Sequence, residues 1–474
     1  MSMQKMLIRY VLEPFACFMD RFQPKTKDRV FVISCLLIIF QYFLKGAGLV
    51  QYRYLIFYGI DCMLLGLMIL CSLKPGIQPM KFRKTLAVSW FGVGLLMLQS
   101  GLRNNVDYLP EAVLFLIAYP VAFLVWNNND VGKIMKLLVQ SMKLSFLVFL
   151  VMSFLFYPME EIRYSGLFTN VNGASGYLAL VFTCLIVEVI SERKVTARHV
   201  GNLVLTGVCT ALLFYTNSRT GELEILVAAV AACGMYWIAH RKEGKKYFYR
   251  NVALICFSIL IFFNVTIYVF QSNKVLGAVM GEIQSSIQAA STQATDDGEW
   301  LAESTETEPE GNRTGQTILK PSDSKEVNDQ RTSADGKTAL EISTGRTAIW
   351  VGYLQQLNLF GHADSGTVVI QYDGAERVYH TTHMTILQIA YESGAIAGIL
   401  YLLFNVTAGV CSIVYVVRSR DDPYAMLPLL IAVAYGVHSL LASTGTSFWY
   451  MSAFYYYLVQ FPVIAHIPDR VDGS

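Results

Sequence analysis

Four basic side chains of this chain are candidates for binding anions or moving protons: Arg163, Arg219, Arg346 and His383. Each lies in a short polar stretch beside an apolar run, in the segments RYSGLFTNVNGASG, NSRTGELEI, GRTAIW and HTTHMTILQIA. A guanidinium group binds phosphate oxygens through two parallel hydrogen bonds, and an imidazole exchanges a proton near neutral pH. These residue types suit chemistry on a phosphate-bearing substrate, provided that the fold brings them to one side of the molecule.

The composition is that of a membrane protein. Hydrophobic residues make up 54% of the chain and charged residues only 15%, and the apolar residues come in runs near twenty residues long. A helix of that length crosses the hydrocarbon core of a bilayer. The sequence therefore predicts an all-α polytopic protein with about twelve transmembrane helices, which start near residues 30, 52, 84, 107, 137, 173, 199, 221, 251, 385, 424 and 446.

The distribution of positive charge predicts the orientation. Lysine and arginine accumulate in cytoplasmic loops. Alternate loops are basic, and their charged residues are Lys74, Lys81, Arg83, Lys84, Lys133, Lys136, Arg193, Lys194, Arg198, Arg241, Lys242, Lys245, Lys246, Arg250, Arg418 and Arg420. Both termini are thus predicted to be cytoplasmic, and the segments that hold the four candidate residues are predicted to face outward. The formal charge of +2 says little about partners, because the position of the basic residues is what matters in a membrane protein, and no nucleic-acid surface is indicated.

A large polar insertion divides the apolar spans, and the predicted organisation follows from it. Its composition between residues 281 and 343 cannot bury enough apolar surface to fold alone, which predicts disorder there. The predicted units are an amphipathic interfacial segment at 1–28, helices 1–9 at 29–270, an extracytoplasmic loop at 271–382 with an amphipathic helix at 344–360, helices 10–12 at 383–467 and a cytoplasmic tail at 468–474.

The segment that follows the insertion is too long for one transmembrane helix. Residues 382–417 have a continuous helical pattern, and about 36 residues at 1.5 Å each span about 54 Å, against a hydrocarbon core of about 30 Å. We expect the helix either to project above the lipid or to break at Ser393 and Gly394. Both alternatives put His383 near the outer interface.

In the order of these motifs the chain resembles the O-antigen ligase and O-antigen polymerase family of bacterial membrane glycosyltransferases. The resemblance covers roughly residues 160–400. The matching residues are Arg163, Gly166, Asn170 and Asn172 before one span, Ser218, Arg219 and Gly221 at the start of a later one, Gly345, Arg346 and Trp350 in the large outward loop, and His383, Leu387, Gly394 and Gly398 after it. Met384 departs from the family pattern, which commonly has asparagine there, and His380 offers a second imidazole.

The resemblance implies a C-type membrane glycosyltransferase that polymerises oligosaccharide repeat units carried on polyprenyl diphosphate. It implies an O-antigen, capsular or exopolysaccharide product, made on the outer side of the bacterial cytoplasmic membrane. The donor and acceptor glycolipids, membrane lipid, a flippase and a chain-length regulator would be its partners. The near alternative is a ligase that moves a finished glycan, for example from undecaprenyl diphosphate, to another acceptor.

The resemblance and the residue chemistry together predict the site. His383 is the expected base, and Arg219 and Arg346 the expected catalytic cations. Donor binding is expected to use Arg163, Asn170, Asn172, Ser218, Arg219, Arg346 and His380. No cofactor is expected, and the chemistry is predicted to be metal-independent. Glu222 and Glu224 are expected to interact with the helix dipole, and His438 to be a packed or hydrogen-bonded core residue.

Two other classes of function remain as alternatives. A polysaccharide transporter or flippase would use carboxylates within the spans, for which Asp61 and Glu188 are the candidates. Such proteins usually contain internal repeats, and we find none at a fixed period. A non-catalytic scaffold would leave the outward arginine and histidine residues without a role.

Overall fold

The computed structural model describes residues 3–46, 54–103, 106, 108–157, 163–168, 170–239, 245–272, 346–362, 368–372, 375–379, 381–444, 447 and 450–466. Within these ranges the chain is predominantly helical. Nine of the described helices are long and apolar enough to cross a membrane. The prediction of an all-α, multi-pass membrane protein is therefore confirmed at this level.

The helices are numbered here in chain order. They are α1 (Met3–Leu7), α2 (Glu13–Met19), α3 (Pro24–Gly46), α4 (Tyr54–Cys71), α5 (Lys84–Leu102), α6 (Tyr108–Val113), α7 (Tyr119–Asn127), α8 (Val131–Phe156), α9 (Val171–Ser191), α10 (Ala197–Tyr215), α11 (Arg219–Ala239), α12 (Lys245–Ser272), α13 (Arg346–Gln355), α14 (Thr385–Ser393), α15 (Ala395–Arg418), α16 (Leu427–Leu441), α17 (Met451–Val459) and α18 (Phe461–Ile464). Four short strands form two antiparallel pairs: β1 (Lys81–Phe82) with β4 (Ala465–His466), and β2 (Val368–Tyr372) with β3 (Ala375–Tyr379).

The nine long apolar helices correspond to nine of the twelve predicted spans. The predicted first, second and last spans coincide with α3, with α4, and with α17 together with α18. The apolar part of α4, Phe57–Cys71, is shorter than a full span. The last predicted span is divided at Gln460, and Pro462 lies in the first turn of the short helix that follows.

Two helical stretches widen into a π turn just before a proline. Ile8–Leu12 precedes Pro14, and Leu114–Ala118 precedes Pro120. A proline ring inside a helix clashes with the carbonyl four residues earlier and supplies no N–H group. The wider turn relieves that clash while the helix continues, so that α6 and α7 together form one apolar span of 20 residues.

Helix α9 is the centre of the bundle. It packs against α8, α10, α11, α16 and α17, and 94% of the residues in its most apolar stretch are buried. The side chain of Asn170 caps its first turn by accepting a hydrogen bond from the amide of Asn172. Asp130 and Thr196 cap α8 and α10 in the same way. Because α9 touches so many neighbours, residues at its ends are held at fixed positions in the bundle.

The basic loops meet at one end of the bundle, which we call the basic end. There Lys133 forms an ion pair with Asp28 at 2.7 Å, and the guanidinium of Arg250 donates to the carbonyl of Glu192 at 2.9 Å. Strands β1 and β4 pair at the same end. Helices α9 and α11 run from the other end, where the residues with candidate chemistry lie; we call this the site end.

At the N-terminus, α1 and α2 are joined through the first π turn into one short rod. Its Ile8, Leu12 and Ala16 are buried against the protein, while Tyr10 and Phe18 point away from it and are exposed. The apolar stripe predicted for this segment is thus available to lipid.

The polar insertion is described only in its last part. Residues 273–345, which include the segment 281–343 with its predicted disorder, lie outside the described residues, as does His380. Helix α13 is present, and its Ile349 and Tyr353 are buried whereas Leu354 is 55% exposed, so the predicted apolar face is only partly covered. The β2–β3 hairpin was not predicted.

The long helix predicted for residues 382–417 is broken at Gly394, which is the second of the two alternatives given above. Gly394 separates α14 from α15 with a φ of +102°. The loop after α13 crosses this break, and the amide of Ala395 donates to the carbonyl of Asn358 at 2.8 Å. The tenth predicted span therefore begins at Ala395, ten residues later than its predicted start near residue 385.

Candidate functional site

A cavity of about 390 Å³ opens at the site end of the bundle. Its wall comes from the first turns of α9, the end of α16 with the loop that follows it, the loop before α14, and the end of α3. Three of the predicted residues line it: Asn170, Asn172 and His383. The fold thus brings the first and the last motif of the sequence to one surface, although more than 200 residues separate them along the chain.

The second motif joins the first through a short hydrogen-bond network. The hydroxyl of Ser218 donates to the side-chain oxygen of Asn172 at 3.1 Å, and the hydroxyl of Ser175 donates to Ser218 at 3.0 Å. Gly221 makes this approach possible, because a Cβ there would lie 2.6 Å from that of Ser175. Ser218 is therefore a buried link between α11 and the cavity wall.

Arg219 is the first residue of α11 and is exposed. It interacts electrostatically with Glu222 in the first turn of the same helix. The positive end of the helix dipole at this helix start favours a bound anion. Arg219 does not line the cavity itself, but it adjoins Ser218, which does contact a lining residue.

Arg163 is also exposed at the site end. The next residue, Tyr164, donates its amide to the carbonyl of Tyr215 at 2.9 Å, which attaches this segment to the end of α10. Arg163 thus lies in the same group of loops as Arg219, outside the cavity lining.

His383 has an unusual backbone. Its φ is +52°, and among the described non-glycine residues only Asn217, with a φ of +49°, shares this left-handed region. Such a conformation costs about 1 to 3 kcal/mol and persists only where the surroundings enforce it. The two strained residues lie next to the two motifs, at His383 and just before Ser218. Strain of this kind tends to occur at functional sites.

Several hydrogen bonds fix the loop that carries His383. The amide of Thr382 donates to the side chain of Gln388 at 2.8 Å, and the amide of His383 donates to the hydroxyl of Thr381 at 3.2 Å. The indole of Trp350 donates to the carbonyl of Thr382 at 2.9 Å. The third motif, which contains Trp350, is in this way attached to the fourth.

Arg346 lies close enough to His383 to affect its charge. Burial lowers the pKa of the His383 imidazole below its ordinary value, and the positive charge of Arg346 lowers that pKa further. Burial also lowers the pKa of Arg346 itself. The imidazole is therefore biased toward its neutral form, in which one ring nitrogen can accept a hydrogen bond or a proton.

No family model and no curated protein matches the chain. The likeness to the O-antigen ligase and polymerase family accordingly depends on the motifs and their order. The structure unites those motifs at one end of the bundle by the contacts just described.

Sequence reasoning did not identify a buried pair beside the same cavity. Nδ1 of His438 lies 2.5 Å from a carboxylate oxygen of Glu224, and both side chains are almost fully buried. His438 is hydrogen-bonded in the core as expected, but it also lines the cavity. Glu224 contacts this histidine across the bundle and is more than the dipole partner that its place in the first turns of α11 indicated. A carboxylate within an apolar span is the signal that could have found it.

Two further polar contacts shape the cavity. Lys45, which lines it, forms an ion pair with the buried Asp61 at 3.6 Å. The loop before α17 is held by the buried carboxylate of Glu111, which accepts hydrogen bonds from the amide of Ser447 at 2.9 Å and from its hydroxyl at 2.8 Å. These contacts fix the end of α3 and the loop before α17.

Among the described residues, no group of three or more histidine, cysteine or acidic side chains could hold a metal ion. A second cavity, of about 400 Å³, lies at the basic end. Its buried Glu188 accepts hydrogen bonds from Lys143 at 2.6 Å, from Asn202 and Tyr424 at 2.9 Å each, and from Arg198. This carboxylate is fully engaged with side chains of the protein.

Proposed function

We propose that the protein is a membrane glycosyltransferase that polymerises oligosaccharide repeat units carried on polyprenyl diphosphate. One observation carries the proposal: Asn170, Asn172 and His383 line one cavity, and Ser218 joins this cavity to the helix start at Arg219. A site with cations at its rim and imidazoles in its wall suits a donor whose leaving group is a diphosphate.

The charges at the site correspond to the needs of the reaction. A departing diphosphate is already a stable anion, so that its departure requires stabilisation of charge and not a protonating acid. Guanidinium groups stabilise such an anion by about 1.5 to 3 kcal/mol for each charge-assisted hydrogen bond. Arg219 has the additional field of a helix start, and Arg346 adds a cation near His383.

The acceptor sugar needs a base for its hydroxyl proton. A neutral imidazole in the wall of the cavity can accept that proton, which typically accelerates such a step by about 10² to 10⁴-fold. His383, held by Thr381 and biased to its neutral form, is the base that the motif order favours.

The proposed orientation follows from the basic end. Lysine and arginine residues of the short loops meet there, and such loops stay in the cytoplasm. The site end would then face outward, where a flipped lipid-linked glycan is available. A ligase would use the same donor chemistry, so the nature of the acceptor and not the donor site separates the two activities.

Reconstitution of the purified protein tests the proposal. Proteoliposomes receive a polyprenyl-diphosphate oligosaccharide, with and without chelator, and products are resolved on a gel. We expect a ladder of lengthened glycolipids. A single transfer to an added foreign acceptor would indicate the ligase, and movement of intact glycolipid across the bilayer without any transfer would indicate a transporter and refute the proposal.

Matched variants test the residues. Arg219→Ala should lower transfer by roughly 10- to 150-fold, the equivalent of one charge-assisted hydrogen bond, and His383→Ala should lower it too, because this imidazole lines the cavity. Arg418→Ala and His466→Ala serve as controls, because both residues lie at the basic end. Full-length polymer from Arg219→Ala and His383→Ala together would rule out this site.

A further inference from the structure

The second imidazole at the cavity has a better arrangement for accepting a proton than the first. His438 sits near the end of α16, and Glu224 reaches it from α11. The two helices pack against each other along the bundle. Glu224 lies in the segment NSRTGELEI, but neither Glu224 nor His438 is among the matching residues of the resemblance, so the pair is a separate observation.

The hydrogen bond of this pair fixes the imidazole tautomer. A carboxylate oxygen accepts hydrogen bonds, so Nδ1 of His438 carries the proton that is shared with Glu224 at 2.5 Å. The unprotonated nitrogen is then Nε2. Within the described residues, the imidazole makes its hydrogen bond through Nδ1 alone. Nε2 accepts none there and is not fully enclosed by protein atoms. Since His438 lines the cavity, Nε2 is the ring nitrogen left to face it.

The ring has little freedom to turn. It packs against the backbone of Gly176 in α9, where a Cβ would lie 2.7 Å from the ring carbon Cε1. His438 is 4% exposed and Glu224 2% exposed. A histidine that is oriented by a carboxylate on one nitrogen and open to a cavity on the other has the geometry of a general base.

The two imidazoles of the cavity have neighbours of opposite charge. His383 lies beside the cation Arg346, which disfavours a positive imidazolium. His438 lies beside a carboxylate, which stabilises the imidazolium that forms when the ring takes a proton. A base must hold the proton that it removes. The charge at each position therefore favours His438 for this step and leaves His383 to hydrogen-bond the donor as a neutral ring.

We infer that His438 is the general base of the reaction proposed above and that Glu224 is its positioning residue. The acceptor hydroxyl oxygen forms a bond to the anomeric carbon of the donor sugar, and the bond from that carbon to the diphosphate oxygen breaks. The electron pair leaves with the polyprenyl diphosphate. The hydroxyl proton passes to Nε2 of His438, while Glu224 balances the charge through Nδ1. This inference rests on the proposed function.

Two substitutions at position 438 separate a catalytic role from a structural one. The side-chain amide of His438→Asn lies where Nδ1 was and can still bond to Glu224, but it provides no Nε2. We expect normal membrane abundance and a kcat lowered by about 10² to 10⁴-fold, with little change in KM. His438→Gln tests the reverse case, since its amide reaches further toward the cavity and also supplies no base.

Glu224→Gln tests the positioning residue. The same kind of replacement behind a catalytic histidine costs up to about 10⁴-fold in rate. Here we expect a large fall in kcat, and Glu224→Asp should recover part of the rate if the carboxylate charge is what matters. Glu192→Gln and His466→Gln are the matched controls, since both residues lie at the basic end.

The assay is the proteoliposome reaction with defined glycolipid, run for all variants at several substrate concentrations. A wild-type protein that transfers nothing contradicts the proposed function and this inference with it. Transfer by the wild type that stays near normal in His438→Asn, together with a kcat lost in His383→Ala, overturns the inference alone. Loss of kcat in His438→Asn and Glu224→Gln, with a raised KM as the main effect of His383→Ala, supports it.

Discussion

Gly394, at the break between α14 and α15, provides the sharpest test of how the fold holds the site. Its φ of +102° and ψ of 152° belong to a region that only glycine enters readily. A Cβ at this position would lie 2.3 Å from the carbonyl oxygen of Leu359 and 2.8 Å from its carbonyl carbon. Those are backbone atoms of the crossing loop and cannot turn away as a flexible side chain could.

The expected cost of Gly394→Ala is the sum of two effects. Backbone strain in this region contributes about 1 to 3 kcal/mol. The clash with the crossing loop forces a displacement whose energetic cost is comparable to that of overpacking a core, again about 1 to 3 kcal/mol. We therefore expect the free energy of unfolding to fall by about 2 to 6 kcal/mol, and the loop that carries His383 to lose its place at the cavity.

Gly409→Ala is the matched control, because it lies in the interior of α15 with no other atom within 4 Å of the added Cβ. Alanine is the better helix former by about 1 kcal/mol, so this variant should be as stable as the wild type or slightly more so. Thermal unfolding of the two purified variants in the same detergent, followed by size-exclusion chromatography, gives the comparison. Equal midpoints would show that the crossing at Gly394 is not the constraint described here.

Two further predictions concern the loop before α14. Arg346→Gln should raise the pKa of His383 toward its ordinary value, because the cation that disfavours the imidazolium is removed. The pH dependence of carbethoxylation at His383, measured by mass spectrometry, reports this pKa. An unchanged profile would mean that burial alone sets the pKa. Trp350→Phe removes the hydrogen bond to the carbonyl of Thr382 and should lower the free energy of unfolding by about 1 kcal/mol. The KM for the glycolipid should also rise. Trp237→Phe, on α11, is the control, and equal effects in the two variants would contradict the role given to Trp350.

The features that sequence predicts well are those written in local patterns. Apolar runs gave the positions of the nine long helices, since a span depends on length and composition alone. The break after α14 was one of two alternatives because 36 residues exceed the thickness of a bilayer. Gly394, whose φ of +102° and ψ of 152° are open to glycine but not to other residues, decides between the alternatives.

The features that it predicts poorly depend on residues far apart in the chain. Glu224 and His438 are 214 residues apart, and nothing near either one indicates the other. The ion pair of Lys45 with Asp61 and the hydrogen bonds from Ser447 to Glu111 likewise lack a local sequence signal. Asparagine and histidine enter the left-handed region more often than most residues, but residue type alone does not mark Asn217 and His383 as the positions that adopt it. Motif order indicated which segments meet, and the side chains that complete the cavity came from outside the motifs.

The crossing of two glycines beside the polar insertion bears on how this protein can vary. Gly361 and Gly394 each approach the backbone of the other's segment so closely that a Cβ would lie 2.3 Å from a carbonyl oxygen, that of Glu392 or Leu359. The segment that follows α13 is thereby fixed to the bundle at the break between α14 and α15. Changes in the length or composition of the residues before Arg346 should therefore leave the structure of the cavity unchanged. Loop length alters the entropy of loop closure only slowly. Homologous chains should be free to diverge there while keeping both glycines.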